Sequence, residues 1–270
     1  MELNNYNVSK IILIGGEPLM FDGINKLVVF VRKIFPNAKI VLYSNLTLLD
    51  DDNIEVLRDN NIKVNTSIYS DSCEIHDDIT RRKGSFDKTI KAIKKLKQHN
   101  IYVKANIAIM NDNYKISENI IKFVYDLTGV KPKCYLIRDV GVSKKSLVIQ
   151  SDSQAIRPNF KLISRRDFVK NISGNSCWQG KINITCDGFI SPCIMGNKYI
   201  DYSYNVKQNS LRQIMGEYVK KEFWNLSMDC IEICKDCEYR YACSDCRPIC
   251  EGKNKKTGKC KYNPYKGLWE

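Results

Sequence analysis

The chain has 270 residues, 43% of them hydrophobic and 27% charged, with a formal net charge of +13. That is enough length and apolar content for one large domain or a domain plus an appendage, and it excludes wholesale disorder. No run of roughly 18 apolar residues occurs, which excludes a transmembrane helix. The opening MELNNYNVSKIILIGG lacks the segments of a signal peptide, so a cytoplasmic protein with no membrane partner is expected.

Short apolar runs alternate with helical patterns through the first half. A strand is predicted over 8–14, closing on Gly15-Gly16-Glu17-Pro18, and a helix over 24–35 with Ile24, Leu27, Val28 and Val31 on one face. Further strands are predicted over 39–43, 62–69, 102–110 and 133–137. Helices fall over 51–60, with Asp50 as cap, 85–100 and 116–128. Strand and helix alternating at this spacing predict β/α units on a parallel sheet. Five units do not complete an eight-stranded barrel, so the fold class is α/β, an open or partial (β/α) barrel. Functional groups are expected at the strand C-terminal ends: 15–17, 43–45, 69–71, 110–111 and 138–139.

From 139 to about 176 the pattern weakens into a linker carrying a short helix. Lys181–Thr185 and Phe189–Ser191 flank Cys186-Asp187-Gly188 as a hairpin, and 211–226 reads as an amphipathic helix before a loop-rich tail. Three segments follow: a barrel over 1–140, a linker over 141–176 and a cysteine-rich domain over 177–270. The lysines are spread along helix surfaces, apart from a basic cluster over 253–261. No nucleic-acid recognition motif accompanies them, so a solvated surface is expected rather than a nucleic-acid partner.

Ten of the twelve cysteines lie between Cys177 and Cys260. In a reducing compartment, that density points to metal binding rather than disulfides. Cys177 and Cys193 bracket the predicted hairpin. Cys234-x2-Cys237-x5-Cys243-x2-Cys246 repeats a knuckle in which a tight turn aims two sulfurs the same way, and Cys250 and Cys260 follow. The thiols suffice for two four-thiolate sites. Zinc is the competing occupant, and Cys73 and Cys134 read as buried thiols.

The stretches CDGFISPC, CKDCEYRYACSDCRPIC and KCKYNPYKGLW resemble the SPASM domain, the auxiliary-cluster module of many radical S-adenosylmethionine enzymes that mature peptides. The resemblance implies two auxiliary 4Fe–4S clusters. Cys234, Cys237, Cys243 and Cys260 would bind one, and Cys177, Cys193 and Cys246 the other. Its fourth ligand would be Cys186 at the hairpin turn, with Cys230, Cys250 or an open iron as alternatives. Upstream, Gly15-Gly16-Glu17-Pro18 is similar to the GGEP motif of radical S-adenosylmethionine enzymes. There the glutamate would hold the amino group of the cofactor, S-adenosyl-L-methionine. SIYSDSCEIHDDITRRKGSF and IAIMNDN resemble the middle of these barrels and make Ser67, Tyr69 and Asn106 candidate cofactor contacts. His76 with Asp77 and Asp78 reads as metal or acid–base chemistry, or as a loop residue capping the next helix.

In that family a CxxxCxxC segment precedes GGEP and holds the cluster that cleaves the cofactor, whereas no cysteine lies upstream of Gly15. Two readings follow: the C-terminal remainder of a longer enzyme, or a divergent protein without radical chemistry. The tail resembles the maturases of grasp-with-spasm systems, which favours the second. It also implies a precursor peptide and an ATP-grasp ligase as partners. The expected function is maturation of a ribosomally made peptide. The alternative is a non-catalytic peptide-binding scaffold whose clusters, or zinc, are structural.

Overall fold

The computed structural model describes residues 2–110, 118–137, 163–243, 246–258 and 260–269. The strand ends expected at 110–111 and 138–139, the start of the helix expected from 116, and most of the predicted linker lie wholly or partly outside these. The chain divides into two compact units, one spanning Leu3–Ile137 and the other holding the described residues from 163 onward.

In the first unit β1 (Lys10–Leu13), β2 (Lys39–Tyr43), β3 (Lys63–Ile68), β4 (Val103–Ile109) and β5 (Cys134–Leu136) form one sheet in chain order. Every pairing is parallel. The helices between them are α1 (Ile24–Ile34), α2 (Asp51–Asp59), α3 (Cys73–Thr80), α4 (Ser85–Gln98) and α5 (Glu118–Thr128). This is the predicted open, partial barrel. The helix α3 is not among the predicted elements; its CEIHDDIT buries one residue, His76. Ser72 caps its start, and Arg81 ends it in the left-handed conformation at φ 54.

The alternation in β3, KVNTSI, decides how this sheet is used. Val64, Thr66 and Ile68 are buried, while Lys63, Asn65 and Ser67 are half-exposed. A parallel strand covered on both faces reads as a continuous apolar run, so polar alternation marks a face left open for another purpose. Ile40, Leu42, Val64, Ile68, Val103, Ala105 and Ile107 pack into one core with Ile24, Val28, Ile54, Leu57, Ile93, Leu96, Ile120 and Val124 of the helices. The opposite face carries Tyr43, Asn65, Ser67 and Asn106, held side by side by the register pairs Tyr43↔Asn65 and Ser67↔Asn106.

Local chemistry fixes the helix ends. Asp50 Oδ1 accepts from Asn53 N at 2.7 Å and Asn53 Oδ1 from Asp50 N at 3.3 Å, a reciprocal capping box on α2. Arg32 in the last turn of α1 donates to the carbonyls of Pro36, Ala38, Asn60 and Asn61. One guanidinium thus satisfies chain ends left open after both α1 and α2.

The second unit has little regular structure. It contains α6 (Arg165–Ser173), a hairpin of β6 (Asn183–Ile184) with β7 (Ile190–Ser191), and a helix that begins as α7 (Leu211–Ile214). That helix continues as a wider, π-helical coil over Met215–Trp224, with Asn225 N donating five residues back to Lys220 O at 3.0 Å. A second hairpin, β8 (Tyr262–Asn263) with β9 (Leu268–Trp269), closes the tail. Here an aromatic cluster is the core: Trp178 meets Phe223 edge-on at 5.6 Å and Tyr199 at 5.7 Å between ring centroids. Among the described residues no helix is long and apolar enough to cross a membrane.

Candidate functional site

The polar face of the first sheet ends in a cavity of about 510 Å³ at the C-terminal edge of the strands. Gly15, Gly16, Glu17, Ser67 and Asn106 all line it, with Tyr43, Tyr69 and Tyr135. A Cβ on Gly15 or Gly16 would meet no atom within 4 Å. Protein packing therefore does not require glycine there, and the backbone is open to close approach by a ligand. Pro18 is absent from the lining and opens the short turn Pro18–Met20, where its missing N–H costs no hydrogen bond.

Glu17 is the most constrained group at the mouth. Its Oε1 accepts from Ser44 Oγ at 2.6 Å and Leu19 N at 3.1 Å, and its Oε2 from Asn45 N at 2.8 Å. The carboxylate therefore ties the end of β1 to the end of β2. Ser44 and Asn45 stand at a predicted strand end, but their bonds to Glu17 span 27 and 28 positions and leave no local signal. Their turn is held further by Leu46, buried in the left-handed region at φ 65, a conformation a branched side chain adopts only when its surroundings impose it. Thr89 of α4 donates to Asn45 O at 3.0 Å.

On the far wall Ser67 Oγ and Tyr135 Oη lie 3.1 Å apart, and Asn106 Oδ1 accepts from Lys133 N at 3.3 Å. Burial, with a smaller contribution from Tyr135, raises the Tyr69 hydroxyl above its ordinary pKa and keeps it a neutral donor. The charged side chains in the lining, Glu17 and Arg82, have opposite signs. Such a cavity suits a ligand carrying an ammonium group, an anionic group and several hydroxyls.

His76 does not cap the next helix. It lies inside α3, between the rings of Tyr69 and Phe86 at 5.3 and 5.4 Å, and burial lowers its pKa so that it is neutral. The cap belongs to Asp77, whose carboxylate accepts from Gly84 N, from Phe86 N at 2.8 Å and from Ser85 Oγ at 2.9 Å. These bonds, led by Phe86 N–H, hold the Asp77 carboxyl below its ordinary 3.8. A depressed folded pKa contributes stability present above the unfolded value and lost as pH falls through the folded one. Asp77→Ala should therefore lower the thermal midpoint at neutral pH. Its deficit relative to the unsubstituted protein should close as unfolding is followed downward from pH 3.8; a deficit constant through that window overturns the capping role.

Thr66 Oγ1 is buried with no hydrogen-bond partner, as is His76 Nδ1. An unpaired buried hydroxyl carries its desolvation cost without return. Thr66→Val should stabilise the protein by about 1 kcal/mol or more in chemical denaturation. A loss of stability would show that the hydroxyl has a partner in solution.

In the second unit, Cys234 opens the tight turn Cys234–Asp236, and Cys237 N donates back to Cys234 O at 3.0 Å. Cys243 follows the next turn, and Cys260 arrives on the turn from Thr257. All four thiols line one small cavity of about 30 Å³, with Tyr239, Arg240, Lys256 and Tyr262. Burial pushes Cys234 up to about 11 and Cys243 up to about 12, and neighbouring cysteines of the set add to both shifts. Without a cation, Cys234 and Cys243 are held as protonated thiols. A bound cation reverses that preference.

Cys177, Cys193 and Cys246 form a second association. Burial raises Cys193, and Cys177 and Cys246 raise it further. Cys250 is buried, its Sγ 3.7 Å from Cys246 O, and Cys246 also perturbs its thiol. Tyr199 is pushed up to about 12 by burial, with contributions from Cys250, Cys246 and Cys193. Cys186 stays exposed on the hairpin turn with its thiol 3.8 Å from the Asp187 carboxylate. No described contact joins it to the other three, because the turn lies at the opposite end of the hairpin from Cys193. Cys230 is exposed. Cys73 and Cys134, expected to be buried, are also exposed: one lies in the first turn of α3, the other on the edge strand β5. Among the described residues no group of three or more His, Cys, Asp or Glu side chains is drawn together tightly enough to hold a single metal ion.

Residues 1–124 match the family model described as the Radical SAM superfamily. GTP 3',8-cyclase of Clostridium perfringens (strain SM101 / Type A) is 27% identical over 248 residues, covering 83% of this chain and 76% of that protein. The antilisterial bacteriocin subtilosin biosynthesis protein AlbA of Bacillus subtilis (strain 168) is 32% identical over 123 residues, 45% of this chain and 27% of AlbA. Among solved structures, native anSMEcpe with bound AdoMet superposes with a TM-score of 0.67 at 18% identity, covering 98% of this chain and 82% of that one. Streptococcus suis SuiB bound to S-adenosylmethionine gives 0.68 at 15%, covering 97% and 68%. These likenesses are of fold. The structural matches extend over the cysteine-rich part, and the fold is an α/β partial barrel like that of radical SAM proteins, followed by a cysteine-rich region that superposes on those structures.

Proposed function

We propose that this protein binds S-adenosylmethionine at the mouth of its partial barrel, carries two cysteine-held 4Fe–4S clusters in its C-terminal unit, and acts in the maturation of a ribosomally made peptide. The observation that carries the reading is the grouping of Cys234, Cys237, Cys243 and Cys260 around one pocket. Four thiolates are the ligand set of a 4Fe–4S cluster, and zinc is the competing occupant.

Glu17 would accept the cofactor's ammonium group on the lone pairs that Ser44, Leu19 and Asn45 leave unused. Because those donors already fix the carboxylate, little side-chain entropy is lost on binding. Gly15 and Gly16 would let the ligand reach the backbone, and Ser67, Asn106 and Tyr69 would supply hydroxyl and amide partners. In the second cluster, Cys177, Cys193 and Cys246 would be joined by a fourth thiolate. The buried position of Cys250 beside Cys246 supports it above Cys186 on its exposed turn. When bound, the clusters supply electron transfer or a Lewis-acidic iron for a peptide group. The peptide assignment is supported by the similarity to a bacteriocin biosynthesis protein and by the tail's resemblance to grasp-with-spasm maturases, whose partner is an ATP-grasp ligase.

The test is metal analysis of protein purified without oxygen. Brown protein with about eight irons per chain is the expected result. Colourless protein with stoichiometric zinc and no affinity for S-adenosylmethionine returns the reading to a structural scaffold.

A further inference from the structure

Arg247 is 1% exposed, an unusual position for a guanidinium that stays charged at any pH a protein meets. Its backbone belongs to the second cysteine group. It opens the turn Arg247–Ile249 between Cys246 and Cys250, Cys250 N donates to Arg247 O at 3.0 Å, and Tyr199 Oη donates to the same carbonyl at 2.8 Å. Its side chain leads toward the first group. Nη1 donates to Lys253 O at 3.2 Å and Lys255 O at 2.9 Å, and the next residue, Lys256, lines the pocket of Cys234, Cys237, Cys243 and Cys260.

We infer that Arg247 is a counter-cation shared by the two cysteine sites, raising the reduction potential of both clusters; this rests on the cluster reading above. Reduction adds one negative charge to a cluster, and a fixed positive charge nearby favours the reduced form. Burial gives the guanidinium a longer reach than a solvated cation has, because water and salt screen it less. Two lysines make natural comparisons. Lys256 lines the pocket of the four-cysteine group, and Lys198 Nζ donates to Cys250 O in the other. Each serves one group, and both have more contact with water than Arg247.

The test is a redox titration of the anaerobically purified, iron-loaded protein, followed by electron paramagnetic resonance. Arg247→Met should make both clusters at least tenfold harder to reduce, about 59 mV each for a one-electron couple. Arg247→Lys should leave both within that margin. Lys256→Met should move the four-cysteine site alone, and Lys198→Met the other alone. Should Arg247→Met fail to fold, Arg247→Gln carries the same test, since its amide still donates to the Lys253 or Lys255 carbonyl. Unchanged potentials, or a shift at one cluster only, in a loaded Arg247→Met or Arg247→Gln protein overturn the shared role while leaving the cluster reading intact. Unsubstituted protein without iron removes the cluster reading, and this role with it.

Discussion

Cys243→Ser should lower the iron of anaerobically purified protein from about eight to about four atoms per chain. Cys193→Ser should remove the other half, and the double variant nearly all. The expectation of two independent halves comes from where the chain delivers its sulfurs. Cys234, Cys237, Cys243 and Cys260 face one pocket, while Cys193 is perturbed by Cys177 and Cys246. Cys243 is the informative position in the first set, since burial and three cysteine neighbours all act on its thiol. A serine hydroxyl there is a poor ligand in the same dry space, so the cluster loses an anchor without gaining water. The same measurement separates the candidates for the last ligand. Cys250→Ser should cost as much iron as Cys193→Ser, and Cys186→Ser little. If Cys243→Ser and Cys193→Ser each strip all the iron, there is one site, and the division into two sets is wrong.

Glu17→Ala should weaken S-adenosylmethionine binding at least about tenfold by calorimetry, the scale on which a charge-assisted hydrogen bond of roughly 1.5–3 kcal/mol is lost. The carboxylate is both the anion of the cavity and the strut between β1 and β2, so the loss combines a missing ligand contact with a loosened mouth. Ser44→Ala separates the two. It removes the 2.6 Å strut and keeps the charge, so binding should fall severalfold and less than in Glu17→Ala. Equal affinity in Glu17→Ala and the unsubstituted protein would place the cofactor elsewhere.

The first unit was largely legible in its sequence because its patterns are long and periodic. β2 runs over the predicted Lys39–Tyr43, and α4 begins at the predicted Ser85. The helix α3 escaped because its eight residues hold a single buried side chain, too few to show a period. The hairpin β8–β9 escaped because each strand is two residues long. At the site, Gly15–Glu17 announced itself as a motif at a strand end. The partners of Glu17 did not, since nothing local marks a bond between residues 28 apart. The sequence groups Cys186 with Cys193 because both belong to one hairpin, Cys186 at its turn and Cys193 just past its second strand. Cys250 lies beside Cys246 in space, and what distinguishes it is burial, which linear spacing does not record.

The strand order β1 to β5, each strand beside its chain neighbour, bears on how the first unit assembles. No strand has to wait for a distant segment to arrive between two others. As the chain leaves the ribosome, each new strand and its helix can add to an edge already formed, so loop-closure entropy is met in small instalments. Vectorial growth of this kind adds strands at one edge only, so each new parallel ladder forms against a neighbour already in place.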